Sequence, residues 1–182
     1  PVGVELDSEL RQVCSDVARM RVTPNLVRTD LFTATPLPAG GDTLRIVSIG
    51  SLVERKGFGV LLDAVEILQR RGACVDVRII GNGPARAAIR DRLVTLGQDP
   101  AVALPGLLTR RDIFAVLRSA HIYVCSSHRE TFGLAPAEAL AAGRPVVSTR
   151  CGGPEFYVND ACGAVVAPGD PVAMAEAITA TC

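Results

Sequence analysis

Residues 44–68 read LRIVSIGSLVERKGFGVLLDAVEIL, in which a short apolar run is followed by a glycine-bounded loop and a longer amphipathic segment. Residues 44–49 predict a buried strand and residues 50–57 a loop. In residues 58–68 the large apolar side chains recur every three or four positions, which is typical of one buried face of a helix. Repetition of this strand, loop and helix along a chain favours a parallel sheet covered by helices.

The same unit recurs to the end of the chain. Short apolar runs predict further strands at residues 75–80, 102–104, 122–125, 145–148 and 163–166. Amphipathic segments lie between these runs, and an alanine-rich helix begins near Pro171. The prediction is an α/β fold, a doubly wound, Rossmann-like parallel sheet of about six strands.

Residues 1–42 have a different pattern from the rest of the chain. Apolar residues spaced by three and four predict an amphipathic helix over residues 5–20. Prolines and glycines are then dense between Pro24 and Gly41, which indicates a linker rather than a continuous element. We therefore expect residues 1–42 to belong to something that precedes the main domain of residues 43–182.

The composition argues against several classes of partner, namely nucleic acids, membranes and metal ions. The chain has 19 basic and 19 acidic residues, so it lacks the surplus positive charge that binds nucleic acids or anionic membranes. No apolar run is long enough to span a membrane, and no secretory signal pattern is present. The six cysteines include no C-x-x-C pair, which argues against a metal site. Thiols within apolar runs favour a reducing compartment, and we expect the cytoplasm.

Two loops carry possible ligand groups, because the loops that follow parallel strands meet at the edge where ligands bind. Arg55 and Lys56, the only lysine, lie just before a helix, where positive side chains oppose the helix dipole. A bound diphosphate would relieve that conflict, although a solvated basic pair at a turn also fits. Gly81 and Gly83 either form a tight turn or let a ligand approach the backbone.

Two glutamates define the most informative segment. Glu130 lies in a polar loop and Glu138 in the second turn of the helix that Gly133 opens, with seven residues between them. Carboxylates on either side of free helix amides would suit a ligand with hydroxyl, phosphate and hydroxyl groups in that order, as in a sugar, a diphosphate and a ribose. Alternatively, Glu130 caps the helix and Glu138 lies on the surface. The nearby His128 has no visible partner, so we do not assign it as a general base.

Residues 130–147, ETFGLAPAEALAAGRPVV, resemble the E-x7-E signature of the family 4, or group 1, retaining glycosyltransferases. Other segments are similar to motifs of that family in the same order and approximate spacing, namely residues 22–32, 50–57, 81–84, 152–155 and 163–166. The resemblance implies a GT-B enzyme, in which two Rossmann-like domains face each other across a cleft. This chain resembles the C-terminal, donor-binding domain, cut short in its last helix, with residues 5–20 as the last helix of the N-terminal domain.

The resemblance also implies the chemistry. The reaction would transfer a sugar from a nucleoside-diphosphate sugar with retention, without a metal or any further cofactor. Glu130 would bind the hydroxyls of the donor sugar, and Lys56 and Arg55 would stabilise the departing diphosphate. An unknown acceptor would bind to the missing N-terminal domain, which would also make any peripheral membrane contact. The family's catalytic histidine belongs to that domain, so His128 does not take its role.

The remaining implied residues bind the nucleotide. Glu138 would bind the ribose, and the backbone amides of Gly133 and Leu134 would bind the phosphate. The base would lie near Gly106 and Leu107. The neighbouring loops would contribute further contacts through Ser51, Gly81 and Gly83.

The sequence departs from the family pattern at Ser51, where many members carry an arginine that binds the diphosphate. Whether Arg55 replaces that arginine stays open, as do the nucleotide, the sugar and the acceptor. Two other functions also remain open, a nucleotide-sugar-binding module without catalysis and a related epimerase or phosphorylase. A receiver-type regulator is disfavoured, because Ile49, Gly50 and Ser51 provide no acid at the end of the first strand.

Overall fold

The computed structural model describes residue 12 and residues 25–39 and 41–182. The helix predicted over residues 5–20 lies almost wholly outside these residues. Within them, five parallel strands form one sheet in the order β2-β1-β3-β4-β5. The strands are β1 Thr43–Ile49, β2 Cys74–Ile80, β3 Ile122–Cys125, β4 Val146–Thr149 and β5 Gly163–Val166. The predicted doubly wound α/β fold is confirmed.

Six α-helices connect and follow these strands in the described part of the chain. They are α1 Phe58–Arg70, α2 Arg86–Thr95, α3 Pro100–Ala103, α4 Arg110–Ser119, α5 Leu134–Ala141 and α6 Pro171–Thr181. Short 3₁₀ helices precede α1 at Glu54–Lys56 and follow β4 at Gly153–Phe156. None of the described helices is long and apolar enough to cross a membrane.

The core has two parts, one on each face of the sheet. Successive strand residues point to opposite faces, so Ile46 packs into the cluster beneath α1 and α6, while Val47 packs into the cluster beneath α4 and α5. The predicted apolar face of α1 is buried in the first cluster. Helices therefore cover both faces, and the loops after the strands are left at the sheet edge.

The predicted strand at residues 102–104 is wrong. Residues 100–103 form α3, because the Asp99 side chain accepts a hydrogen bond from the Ala101 amide at 2.9 Å and Pro100 occupies the first helical turn. The chain then meets the sheet through one parallel bridge between Ile80 and Gly106. The sheet has five strands instead of about six, and Gly106 lies at its ligand-facing edge.

The part of the predicted linker that the structure describes is attached to the main domain. The Phe32 side chain is fully buried and meets the Phe114 ring edge-on, with 5.9 Å between ring centroids. The buried Arg144 guanidinium donates hydrogen bonds to the carbonyl oxygens of Thr35, Pro36 and Ala120. The division of the chain after residue 42 stays a prediction, but residues 32–36 pack as part of this domain.

Candidate functional site

Lys56 and Glu130 meet at the carboxyl edge of the sheet. Lys56 Nζ forms an ion pair with Glu130 Oε1, although the two residues are 74 positions apart. The Ser127 hydroxyl donates a hydrogen bond of 2.7 Å to the same carboxylate oxygen. The side chains of Lys56 and Glu130 are only 15% and 12% exposed, so the pair is partly shielded from water. The structure therefore brings together two of the three residues predicted to act in catalysis.

The loop after β1 is fixed on the loop after β3. The Ser126 hydroxyl donates to the Lys56 carbonyl at 2.9 Å, and the His128 amide donates to the Arg55 carbonyl at 2.8 Å. Gly57 has a φ of 63°, and a Cβ atom there would lie 2.0 Å from the Ser126 carbonyl oxygen. Only glycine fits that contact. The side chains of Arg55 and His128 are exposed.

The backbone around Glu130 is held by the loop after β4. The Glu130 amide donates to the Cys151 carbonyl at 2.7 Å, and the Gly153 amide donates to the Glu130 carbonyl at 3.0 Å. These bonds join the loops after β3 and β4 side by side. The carboxylate of Glu130 is thus oriented from both its backbone and its side chain.

The N-terminus of α5 begins beside this cluster. Gly133 is its N-cap residue, with a φ of 78°, and no side chain among the described residues caps the helix. The Tyr157 hydroxyl lies 2.6 Å from the Gly133 carbonyl oxygen and 2.9 Å from that of Phe132, which supports the turn from behind. The alternative that Glu130 caps the helix is wrong, because its carboxylate is bonded to Lys56 and Ser127 and no amide of α5 donates to it in the described structure. The first amides of α5, from Leu134 onward, form a positive helix end at the ligand-facing edge.

Glu138 lies one turn further along α5 and is not a surface residue. It is 6% exposed, and Arg110 Nη1 donates a hydrogen bond of 2.6 Å to its Oε1 atom. Burial raises the pKa of the Glu138 carboxyl, while the Arg110 charge and hydrogen bond oppose that rise. The result is a carboxylate that depends on one arginine for its charge partner.

Gly106 and Leu107 form an exposed lip next to that arginine. Leu107 is 78% exposed, whereas Gly106 is tied to the sheet because its carbonyl accepts from the Gly81 amide at 2.9 Å. Arg86 Nη2 supports the same loop through a hydrogen bond of 2.9 Å to the Leu104 carbonyl. An apolar side chain such as that of Leu107, on a backbone held in place, is suited to packing against a flat ring of a ligand.

Gly81 and Gly83 adjoin the loop after β1 instead of an open space. Cβ atoms at these positions would lie 1.9 Å from the Gly50 carbonyl oxygen and 2.5 Å from the Leu52 carbonyl oxygen. The glycines are therefore explained by close contact between two loops of the chain itself. Ser51, between those carbonyls, is exposed at the same edge.

Sequence reasoning missed Arg110, Ser127 and Tyr157. A signal for Arg110 was available, because Thr109 caps α4 and so places Arg110 in a first helical turn at the ligand-facing edge. Arg55 and Lys56 are in the same electrostatic conflict with a helix N-terminus. Nothing in the pattern distinguishes Ser127 from its neighbours. Tyr157 contacts the start of α5 from 24 positions further along the chain, which the local sequence does not indicate.

The motif order and the fold agree with a comparison against known families. A family model described as "Glycosyl transferases group 1" matches residues 43–182. The chain belongs to this family. Among curated relatives, it is 32% identical over 167 residues to the amylovoran biosynthesis glycosyltransferase AmsK of Erwinia amylovora. It is 33% identical over 145 residues to the D-inositol 3-phosphate glycosyltransferase of Corynebacterium kroppenstedtii.

These relatives are longer than this group 1 glycosyltransferase chain. The AmsK match covers 88% of the chain but 40% of the relative, and the Corynebacterium match covers 75% and 32% respectively. The chain thus spans less than half the length of the curated relatives that it matches. It contains the family's matched region and both glutamates of the E-x7-E segment.

Solved structures show the same fold. Anabaena Alr3699/HepE, solved with UDP and glucose, is similar with a TM-score of 0.80 at 17% identity, over 98% of this chain and 51% of that one. The C-terminal domain of LpcC from Francisella tularensis has a TM-score of 0.66 at 24% identity, over 85% of this chain and 86% of that one. The chain therefore corresponds in fold to one half of a GT-B glycosyltransferase.

Proposed function

We propose that this chain is the donor-binding domain of a retaining glycosyltransferase, which transfers a sugar from a nucleoside-diphosphate sugar to an acceptor. The proposal depends above all on one observation, the ion pair of Lys56 and Glu130 beside the uncapped N-terminus of α5. A cation, a carboxylate and free amides at one edge suit a ligand that carries both phosphates and hydroxyls.

The proposed roles follow from charge. In the resting site Lys56 neutralises Glu130, and a donor would exchange that ion pair for two separate contacts. Lys56 would turn to the diphosphate, and the Glu130 carboxylate would accept hydrogen bonds from sugar hydroxyls while Ser127 keeps it oriented. Because Arg55 is exposed next to Lys56, it would reach the same diphosphate and take the place of the arginine missing at Ser51.

Catalysis would consist of stabilising the leaving group. Negative charge develops on the diphosphate as the bond to the anomeric carbon breaks, and Lys56 together with the amides of Gly133 and Leu134 would stabilise that charge. A lysine and a helix N-terminus supply the positive potential that a divalent cation supplies elsewhere. We therefore propose a metal-independent reaction with retention at the anomeric carbon and no cofactor apart from the donor.

The nucleoside would lie between α5 and the Gly106 lip. Glu138 would accept hydrogen bonds from the ribose hydroxyls, and Leu107 would contact the base. The solved complexes support a nucleoside diphosphate as the ligand class, because HepE was solved with UDP and glucose and Staphylococcus aureus TarM with UDP.

The acceptor would bind to a domain outside this chain, which would also carry any peripheral membrane contact. We propose a cytoplasmic location, since Cys74, Cys125, Cys151, Cys162 and Cys182 are free thiols.

The test is calorimetric titration of the chain with UDP, GDP and ADP and with the corresponding nucleosides. We expect weak binding of at least one diphosphate and no sugar transfer by the chain alone. Lys56→Ala should weaken diphosphate binding about 10- to 100-fold, the equivalent of one charge-assisted contact, and leave nucleoside binding nearly unchanged.

Arg90→Ala is the matched control, because Arg90 is exposed and pairs only weakly with Asp91 at 3.2 Å. It should leave both titrations unchanged. If no diphosphate binds while circular dichroism shows a folded chain, the donor-site proposal fails. Equal losses of diphosphate and nucleoside binding in Lys56→Ala would show that Lys56 does not contact phosphate.

A further inference from the structure

Arg110 follows the Gly106 lip in the chain and reaches the carboxylate of Glu138, which the proposed function assigns to the ribose. It is the first residue of α4, directly after the Thr109 cap, and its side chain is 56% exposed. From there it reaches Glu138 on α5, 28 positions away, whose side chain is 9% exposed. One end of this contact faces solvent, and the other end is buried in the site.

A cation at this position has an electrostatic cost, which a neighbouring carboxylate can offset. The first turn of a helix carries partial positive charge, which disfavours arginine there. Arg111 has the same disadvantage at the next position and is exposed. Arg110 differs because its guanidinium is bonded to a buried carboxylate. This ion pair offsets two costs at once, that of a cation at a helix N-terminus for Arg110 and that of a buried charge for Glu138.

The geometry leaves half of the carboxylate available. Arg110 Nη1 donates to Oε1 of Glu138, and no side chain among the described residues donates a hydrogen bond to Oε2. A carboxylate accepts hydrogen bonds at both oxygens, so Oε2 can receive a hydroxyl while Oε1 stays with the arginine. We propose that Arg110 is a positioning residue, which keeps Glu138 charged and oriented so that its second oxygen binds the ribose of the donor.

The other groups around Glu138 do not offer this charge. Helix α5 has no second ionisable side chain, and it packs on β3, which carries Tyr123 and Cys125, and on β4, whose residues are not ionisable. Burial raises the pKa of Tyr123 well above its usual value, so this phenol is neutral below pH 8. The pKa of Glu138 is raised by its own burial and lowered by the charge and the hydrogen bond of Arg110.

The inference rests on the proposed function, so the test compares variants in the same titrations. Arg110→Met keeps an unbranched side chain as far as the position of Nε but has no charge. Arg110→Lys keeps the charge, and Arg111→Met is the matched control on the next residue. In Arg110→Met, nucleoside and nucleoside-diphosphate binding should both weaken about tenfold near pH 5.5 and much less near pH 8. Without the Arg110 charge, the Glu138 carboxyl takes up its proton at a higher pH than in the unaltered chain, so it is neutral in mildly acidic solution but still charged near pH 8. Arg110→Lys should recover part of the loss, and Arg111→Met should match the unaltered chain.

A second measurement does not need any ligand. The ¹³C shift of the Glu138 carboxyl, identified by its absence in Glu138→Gln, should titrate at higher pH in Arg110→Met than in the unaltered chain. If the unaltered chain binds nucleotide and Arg110→Met behaves like Arg111→Met, this inference is overturned and the proposed function stands. An unchanged Glu138 titration overturns the inference as well. Failure of the unaltered chain to bind any nucleotide overturns the proposed function and, with it, the ribose role.

Discussion

Replacing Arg144 by methionine should destabilise the domain more than any exposed arginine substitution. Arg144 is 1% exposed and is hydrogen-bonded at 2.9 Å to the Ala120 carbonyl, at 2.8 Å to the Pro36 carbonyl and, more closely still, to the Thr35 carbonyl. Burial lowers the pKa of the Arg144 guanidinium, which stays charged near neutral pH because arginine is not deprotonated in proteins. The methionine side chain is unbranched like that of arginine but ends two atoms earlier, and it offers no donor to these three carbonyls.

The expected loss can be estimated from those contacts. The Ala120 carbonyl is buried and costs about 1–3 kcal/mol when it is left without a donor, whereas the bonds to the part-buried Thr35 and Pro36 carbonyls contribute about 1 kcal/mol or more each because their donor is charged. Part of the loss is recovered, because the charge no longer has to be buried and Arg144 Nε has no partner in the described structure. We expect a net decrease of about 3 kcal/mol in the free energy of unfolding, which lies within the upper range for single substitutions.

The assay is urea unfolding followed by circular dichroism. With a slope of about 2 kcal/mol per molar urea, the midpoint should fall by about 1.5 M. Arg150→Met is the control, since the Arg150 side chain is 65% exposed and its pair with Glu155 at 3.3 Å should contribute less than about 1 kcal/mol. Trypsin should also cut residues 25–39 faster in Arg144→Met. Equal midpoints for the two variants would refute the reasoning that Arg144 fixes this segment to the domain.

Two further predictions concern stability. The raised pKa of Glu138 means that the folded chain binds this proton more tightly than the unfolded chain, so stability should decline as pH rises from about 4.5 through the folded value. Glu138→Gln should remove that decline, and identical pH profiles from urea unfolding would contradict it. Gly59→Ala should stabilise the chain by about 0.5–1 kcal/mol, because Gly59 is exposed within α1 and a Cβ atom there meets nothing within 4 Å. A lower thermal midpoint would show that this position is not an ordinary helix site.

The sequence predicted the fold wherever a long periodic signal existed. β1 and α1 together supply a strand of seven residues and a helix of thirteen, which leaves little ambiguity between the two periods. At residues 102–104 the apolar run is too short to distinguish strand from helix, and the signal that determines the structure is the helix start at Asp99 and Pro100. In this short segment the residues that start the helix therefore decide between helix and strand, because the run is too short to have a clear hydrophobic period.

The candidate site was predictable in its position but not in its pairing. Lys56, Glu130 and Glu138 could be placed at one edge, because the loops after parallel strands must meet there. Which cation meets which carboxylate depends on how those loops pack, and Arg110 reaches Glu138 only because α4 begins beside α5. The burial of Arg144 was equally invisible, since its acceptors come from two separate segments of the chain.

The attachment of residues 32–36 to the domain has a mechanical consequence. Phe32 and the carbonyl groups bound by Arg144 hold the chain before it enters β1 at Thr43. Tension applied at the N-terminal end of the chain would be borne first by these contacts, near α4 and the start of β4, and only afterwards by β1. Any part of a longer protein that lies ahead of Phe32 would consequently be connected to the domain at that residue, before the chain reaches β1.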